Sequence, residues 1–420
     1  MLTAYKLREH EMRSNPCIIG GKISFDPNII RWNEVKQMRS FEIGILGCGV
    51  ISRTYIPDIQ RFFPHLHIRA CADVQREAAQ KTCEEYGIEQ ACTVEELLKD
   101  EKIEIVINLT PPQFHVELNK QILLAGKHVF TEKPFAPNVK EARAVLAIAE
   151  KTGKRIGCAP DTFLASGLQS VRFYLDAGII GKPFFATANM TNFGVETWHP
   201  KPHAFYEKGS GPLFDMGPYY VSALVSLLGP VESVGAFGTK ASPVRHIYVG
   251  EHAGENIPVE ENTTFCAILR LRSGVTVNLN ITYDIYKSGL PAFEIYGDGG
   301  TLAYPDPNFG GGTPKVYRKE QYTDVCYRDD EEAQKRKQSY YELPEVFTRF
   351  KDYSRGIGVQ DLAAAIESGT KNRANGELIL HVTEVLQAIR ESAEQGQFIC
   401  LKTTCERPEP LIPGSYLDQI

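Results

Sequence analysis

From residue 41 onward the hydrophobic pattern switches repeatedly between two periods. "FEIGIL", "LHIRACADV", "IEIVINLT", "KHVFTEK" and "KRIGCAP" are short apolar or alternating runs, and they predict strands. "IEIVINLT" is continuously apolar, as suits a strand buried on both faces. Between these runs, apolar residues recur every three or four positions. That spacing predicts helices over "SRTYIPDIQRFF", "REAAQKTCEEYG", "PPQFHVELNKQILLAG" and "NVKEARAVLAIAEKTG". Pro57 leaves the start of the first helix open. Gly87 and Gly126 read as helix stops, and the prolines at 111 and 112 as a helix start. Alternating strands and helices of this kind build a parallel sheet wrapped by helices.

Beyond about Asp161 the pattern lengthens. A helix over "GLQSVRFYLDAGIIG" leads into the alternating runs "PFFATANMTNFG", "VESVGAFGTKA", "TTFCAILRLRSGVTVNLNITYDI" and "PAFEIYGDGGTLAYP", with "RSG" as a hairpin turn. Two helices, "VQDLAAAIESG" and "GELILHVTEVLQAIRESAEQG", follow. The expected fold class is α/β. A doubly wound parallel sheet over residues 41–160 precedes an α/β domain over 161–420 with a large, mostly antiparallel open sheet. Residues 1–40 are weakly patterned and read as an N-terminal arm. The charged run Arg328–Gln338 reads as a solvated loop or helix face.

Composition narrows the function. The chain has 420 residues, 43% hydrophobic and 23% charged, with a net charge of −6. That balance gives no electrostatic reason for nucleic acid or an anionic membrane as partner. No eighteen-residue apolar stretch occurs, the first seventeen residues lack the apolar core of a secretory signal, and ten cysteines show no C-x-x-C pair or metal-ligand spacing. Reduced thiols, a cytoplasmic location and no metal site are the expectation.

The turn "GCGVIS" carries the first chemical signal. At a strand-to-helix handover, Gly47 permits a tight turn and Gly49 lets the backbone approach a pyrophosphate. Val50, Ile51 and Ser52 then lead into the helix N-terminus. The small Ser52 occupies the third-glycine position, where its hydroxyl caps the helix or reaches a phosphate. Asp73 follows Ser52 by 21 residues, close to the offset of a carboxylate that holds the adenosine ribose. Asp73 favours NAD, and Arg76 leaves NADP open.

Two further loops fall where parallel strands end: "NLTPPQFH", with Thr110, Pro111 and His115, and "TEKPF", with Glu132 and Lys133. Prolines stiffen both. Lys133 beside a cofactor and partly desolvated should have its pKa lowered from about 10.4, fitting it to move a hydroxyl proton. Glu132 orients that lysine or bonds the cofactor. His115 is read either as a cofactor contact or as a structural histidine.

These motifs, in order, resemble the Gfo/Idh/MocA family of NAD(P)-dependent oxidoreductases. The likeness continues through "DAGIIGKPF", "GSGPLFDMGPYY", "EIYGDGGTL" and "ESAEQGQFICL", and so runs from Phe41 to about Leu401. It implies a Rossmann domain followed by an open-sheet domain, one side of the sheet binding substrate and the other commonly making subunit contacts. It implies oxidation or reduction of a secondary alcohol on a sugar, inositol or related polyol, in a homodimer or homotetramer. Members often carry D-x-x-x-H facing the substrate; here Asp215 is kept and Tyr219 takes the histidine position. Tyr219 hydrogen-bonds a sugar hydroxyl while Lys133 moves the proton, or else His199, beside Trp198, supplies the imidazole. Tyr283 and Tyr286 either line the substrate side of the sheet or are core or interface aromatics, and they are left out of the site. Two alternatives stand beside the dehydrogenase: an NAD-dependent glycosidase or lyase acting by transient oxidation, and a non-catalytic dinucleotide-binding regulator.

Overall fold

The computed structural model describes residues 17–19, 22–24, 38–347, 350 and 354–413. Most of the expected arm, residues 1–40, lies outside these. Within it the strands Cys17–Ile19 and Lys22–Ser24 pair antiparallel.

Six parallel strands form the first sheet. Taken in chain order they are Phe41–Leu46, Leu66–Ala72, Gln90–Cys92, Ile105–Asn108, His128–Thr131 and Ile156–Cys158, and in space they run third, second, first, fourth, fifth, sixth. That is the dinucleotide-binding order, and it reverses between Phe41–Leu46 and Ile105–Asn108. Five of the six strands are legible as apolar runs; Gln90–Cys92 has too few residues to show a period. Ile43, Ile45, Ile105, Val106, Ile107, Val129 and Phe130 are fully buried, which explains the unbroken apolar runs. Each such side chain contributes about 1.5–3 kcal/mol.

The helices start and stop where local chemistry dictates. Asn138 accepts the Glu141 N–H at the head of Val139–Thr152, and Gly87 and Gly153 close helices in the left-handed conformation. Ser52–Phe62 runs unbroken through Pro57, because burial of Tyr55, Ile56 and Ile59 outweighs the lost backbone bond.

Among the described residues the second sheet has nine strands, in the order Tyr341–Glu342, Lys315–Arg318, Gly300–Tyr304, Phe293–Gly297, Pro183–Thr191, Thr276–Thr282, Thr264–Leu271, Val231–Thr239, Ile399–Cys400. All neighbours are antiparallel except Thr276–Thr282 on Pro183–Thr191. Alternate residues such as Val234, Phe265, Leu269, Val277 and Leu279 are buried on the face covered by the helices Gly211–Asp215 and Gly376–Gln395. The opposite face leaves Phe237 81% exposed and Ile268 44% exposed. The charged run Arg328–Gln338 holds a surface helix, Glu331–Gln338, capped by Asp330.

The C-terminal helices tie the two sheets together. Ile357–Ser368 lies against Ile156–Cys158, with Gly358 seated on Phe130 and Asp161. Gly376–Gln395 packs on both Val139–Thr152 and Val231–Thr239. Among the described residues no helix is long and apolar enough to cross a membrane.

His381, fully buried on that long helix, accepts the Val231 N–H at Nε2 (2.9 Å) and contacts Thr403 Oγ1 through Nδ1 (2.9 Å). The imidazole is therefore neutral, and burial pushes its pKa down to about 4. An unfolded histidine binds a proton near pH 6.5, so stability is lost as the pH falls from about 6.5 toward 4. Urea denaturation across that range should show His381→Gln with a shallower acid-side slope than wild type, by up to about 1.4 kcal/mol per pH unit. Equal slopes would refute the assignment.

Candidate active site

The glycine turn sits at the reversal of strand order. Gly47 has φ +99°, and a Cβ there would lie 2.8 Å from the Leu109 carbonyl carbon on the neighbouring strand's loop. Only glycine fits. A Cβ on Gly49 would meet nothing within 4 Å, and Val50 is 88% exposed. The N–H groups of Gly49, Val50 and Ile51 have no acceptor among the described residues. Bare N–H groups on an open backbone at a helix N-terminus fit a pyrophosphate. Asp73 closes the turn from below: its carboxylate accepts the Cys48 N–H (2.8 Å) and the Gln75 N–H (2.9 Å). Ser52 departs from expectation. It is fully buried, and its hydroxyl donates to the Gly49 carbonyl (2.6 Å), so it fixes the turn's shape.

The two rim loops are locked to each other. Asn108 Oδ1 accepts both the N–H (3.3 Å) and the hydroxyl (2.7 Å) of Thr110, and Pro111 beyond it is exposed. His115 is fully buried, with Nε2 on the Thr110 carbonyl (2.7 Å) and Nδ1 on the Pro134 carbonyl (2.8 Å). Both ring nitrogens are engaged, which corrects the cofactor-contact reading: His115 staples one loop to the other. Glu132 is buried too. Its carboxylate accepts the Tyr55 hydroxyl (2.8 Å) and the Lys133 backbone N–H (2.9 Å). Tyr55 lies on the helix that follows the glycine turn, so one carboxylate connects that helix to the lysine.

Lys133 reaches across to the second domain. Its Nζ donates to Asp215 Oδ1 (2.5 Å) and to the Asp215 carbonyl (2.9 Å). Burial alone would favour the neutral amine, but the Asp215 charge and hydrogen bond prevail and hold the pKa well above the usual lysine range. The expected lowering of this pKa is thus reversed, because the sequence did not reveal that the carboxylate lies in direct contact. Asp215 Oδ2 accepts the hydroxyl of Tyr283, a fully buried tyrosine that burial and the same carboxylate keep protonated. Tyr219 is 4% exposed; Lys133 Nζ lies 5.6 Å from its ring centroid, and the buried Arg355 donates to its hydroxyl (2.9 Å).

His199 is not part of this cluster. Its Nδ1 accepts the Lys201 N–H (3.1 Å), and its ring packs on Trp198 and Phe205. No hydrogen bond or ion pair among the described residues joins it to Lys133 or Asp215. A buried network backs Tyr283: Arg245 pairs with Glu196 (3.2 Å) and with Asp284, and donates to the Tyr283 carbonyl (3.0 Å), while Tyr206 donates to Glu196. Sequence reasoning missed Arg355 and Tyr55, and it weighed Tyr283 but left it out of the site. Tyr283 had a faint signal, an aromatic one residue past a strand end, but its partner is 68 residues away. Arg355 had none. Among the described residues no cluster of metal-ligating side chains occurs.

The six-stranded parallel sheet with its glycine turn is a dinucleotide-binding Rossmann arrangement, joined to a large, mostly antiparallel sheet. Residues 41–159 match the oxidoreductase family with an NAD-binding Rossmann fold, and residues 168–303 match the Gfo/Idh/MocA C-terminal domain; together they cover more than half of the chain. The chain belongs to the Gfo/Idh/MocA family. An uncharacterized Saccharomyces cerevisiae protein, YMR315W, is 27% identical over 210 residues, 47% of this chain and 58% of its own. Inositol 2-dehydrogenase of Salmonella typhimurium is 25% identical over 173 residues, 40% of this chain and 51% of its own. The chain thus spans little more than half the length of these relatives. An NAD-binding oxidoreductase from Klebsiella pneumoniae superposes with a TM-score of 0.72 at 22% identity, covering 86% of this chain and 99% of its own.

The two glycines should separate on substitution. Gly47→Ala clashes with backbone and is strained, so it should cost about 1–3 kcal/mol in urea denaturation as well as NAD affinity. Gly49→Ala meets no protein atom, so its stability should stay within about 0.5 kcal/mol of wild type while NADH affinity, read by nicotinamide fluorescence, falls at least about tenfold.

Proposed function

We propose that this protein is an NAD-dependent dehydrogenase acting on a secondary alcohol of a sugar, inositol or related polyol. The observation that carries the reading is Lys133 Nζ, on the Rossmann rim, hydrogen-bonded at 2.5 Å to Asp215 of the second domain. The inositol 2-dehydrogenase relative supports the substrate class. NADP remains an option through Arg76, but the Asp73 carboxylate beside the turn opposes a 2′-phosphate.

Gly47, Gly49, Val50, Ile51 and Asp73 hold the dinucleotide, and Thr110 and Pro111 bound it from the adjacent loop. When bound, NAD accepts or returns the hydride. The chain's own residues manage the proton. With Asp215 beside it, Lys133 rests as an ammonium, which stabilises negative charge on the substrate oxygen and donates a proton to that oxygen in reduction. In the oxidative direction the Lys133–Asp215 pair must first release a proton, so alcohol oxidation rises with pH. Tyr283 holds the second oxygen of Asp215 and so fixes the direction in which the carboxylate presents to the lysine. Tyr219, held by Arg355, is proposed to contact a substrate hydroxyl, and His199, apart from the Lys133–Asp215 pair, is not assigned the proton transfer.

Lys133→Met tests the reading directly on a sugar and polyol panel. Turnover should fall by about 10²–10⁴-fold while NADH binding persists; unchanged turnover would remove the lysine from the mechanism. Asp215→Asn removes the charge that does most to counter desolvation of Lys133, leaving the weaker effects of Tyr219 and Glu132, so the alkaline rise in oxidation rate should move to lower pH. Sugar release without net NADH would instead favour transient oxidation.

The exposed sheet face bearing Phe237 and Ile268 is proposed to be buried in a homodimer or homotetramer. Light scattering on the purified protein should return a multiple of the 46.9 kDa chain mass, and a monomer would refute it.

A further inference from the structure

Lys133 leaves a gap in the proton path. Asp215 keeps its amine charged well above the usual lysine range, so the ammonium steadies an alkoxide but releases its own proton only at high pH. Oxidation of an alcohol near neutral pH therefore needs a second acceptor. Tyr219 stands four residues after Asp215 on the next helix, with its ring centroid 5.6 Å from Lys133 Nζ. A phenol has an ordinary pKa of about 10, so on its own it ionises too late to serve.

We propose that Arg355 is the positioning residue that makes Tyr219 the proton acceptor for the substrate alcohol. The inference rests on the dehydrogenase reading above and deepens it. Arg355 is 2% exposed, and its Nη2 donates to the Tyr219 hydroxyl oxygen at 2.9 Å. A guanidinium carries donors only, so the phenol oxygen accepts there and its own proton points elsewhere. The guanidinium carbon lies 5.7 Å from the ring centroid, close to the 5.6 Å of Lys133 Nζ. Two cations thus act on one phenol, and both stabilise negative charge on its oxygen. Burial of Tyr219 opposes them. The neighbouring carboxylates are already engaged: Asp215 by Lys133 and Tyr283, Glu132 by Tyr55 and the Lys133 N–H, Asp161 by the Gly358 N–H. On the other helices packed against Gly217–Leu228, His381 and Arg172 are bonded to the Val231 N–H and the Ser226 carbonyl.

Arg355 holds this place because its backbone is fixed. Its N–H donates to Asp58 Oδ2 (2.8 Å), three residues beyond Tyr55 on the helix Ser52–Phe62. The next residue, Gly356, has φ +99°, and a Cβ there would lie 2.9 Å from the Ile59 side chain. The helix that starts at the glycine turn therefore anchors the arginine, and the arginine reaches across to Tyr219 in the second domain. In oxidation the substrate O–H bond breaks and its proton passes to the Tyr219 phenolate oxygen. The C–O bond becomes a carbonyl as the hydride and its two electrons leave for the bound NAD. Reduction runs the same transfers backward.

The test reads the ionisation of Tyr219 directly in the full-length protein, as the tyrosinate absorbance that wild type shows and Tyr219→Phe lacks. We expect that difference to appear below the ordinary phenol pKa of about 10. Arg355→Met should move it up by at least about one pH unit. Arg355→Lys, which keeps the charge and secures the comparison should the methionine variant fail to fold, should fall between the two. In a second arm, oxidation across the sugar and polyol panel, myo-inositol included, is followed against pH with NAD. Tyr219→Phe should lose about 10²–10⁴-fold in turnover at neutral pH while binding NADH as wild type does. Arg355→Met should move the alkaline rise in rate upward by the same interval as the absorbance. A wild-type Tyr219 that ionises at or above about pH 10, an absorbance indifferent to both Arg355 substitutions, or a Tyr219→Phe rate equal to wild type would each overturn the proposal. No turnover of the panel by wild type would instead overturn the dehydrogenase reading, while the absorbance titration would still judge Arg355.

Discussion

The contact between Lys133 and Asp215 is the constraint around which the site is organised. It joins a loop at the rim of the parallel sheet to the end of a short helix in the second domain, at 2.5 Å and with only 18% of either side chain exposed. A partly buried ion pair is tolerated only where both charges find further partners. Here they do: the ammonium also bonds the Asp215 carbonyl, and the carboxylate's other oxygen takes the Tyr283 hydroxyl. One interaction thus bridges the two domains at the site and sets the protonation state of the lysine.

Around that pair the rim is built from residues that bond to backbone rather than to ligand. His115 fastens the Thr110 loop to the Pro134 loop. Glu132 fastens the helix after the glycine turn, through Tyr55, to the backbone N–H of Lys133. Each removes freedom from a segment that would otherwise move on its own. Hydrogen bonds of this kind, made to buried and charged groups, contribute more than surface ion pairs do. The lysine stands on a floor that is continuous with the cofactor turn.

The second domain contributes a different kind of rigidity. Its buried arginines, Arg245 and Arg355, each arrive from a segment remote in sequence. Arg245 clamps Glu196, Asp284 and the Tyr283 carbonyl, and Arg355 reaches Tyr219 while its backbone N–H bonds Asp58 of the first domain. Charged groups buried this deeply persist only when paired. They hold the aromatic wall of the site in one arrangement.

Periodicity and glycine placement alone determined five of the six parallel strands and the helices between them, the turn at Gly47 and the position of Asp73 at a strand end. These features depend on neighbours in sequence: a period of two or 3.6, a φ only glycine tolerates, a fixed offset within one strand–helix–strand unit. Tertiary structure decided the rest. The direction of the Lys133 pKa depends on a carboxylate 82 residues away, and the role of His115 depends on a carbonyl in the next loop. Tyr283 and Arg355 enter the site only because the sheet and the C-terminal segment bring them there. Electrostatic and hydrogen-bond energies fall off over a few ångströms of space, and a linear pattern carries no record of which distant residues the fold will bring within that range.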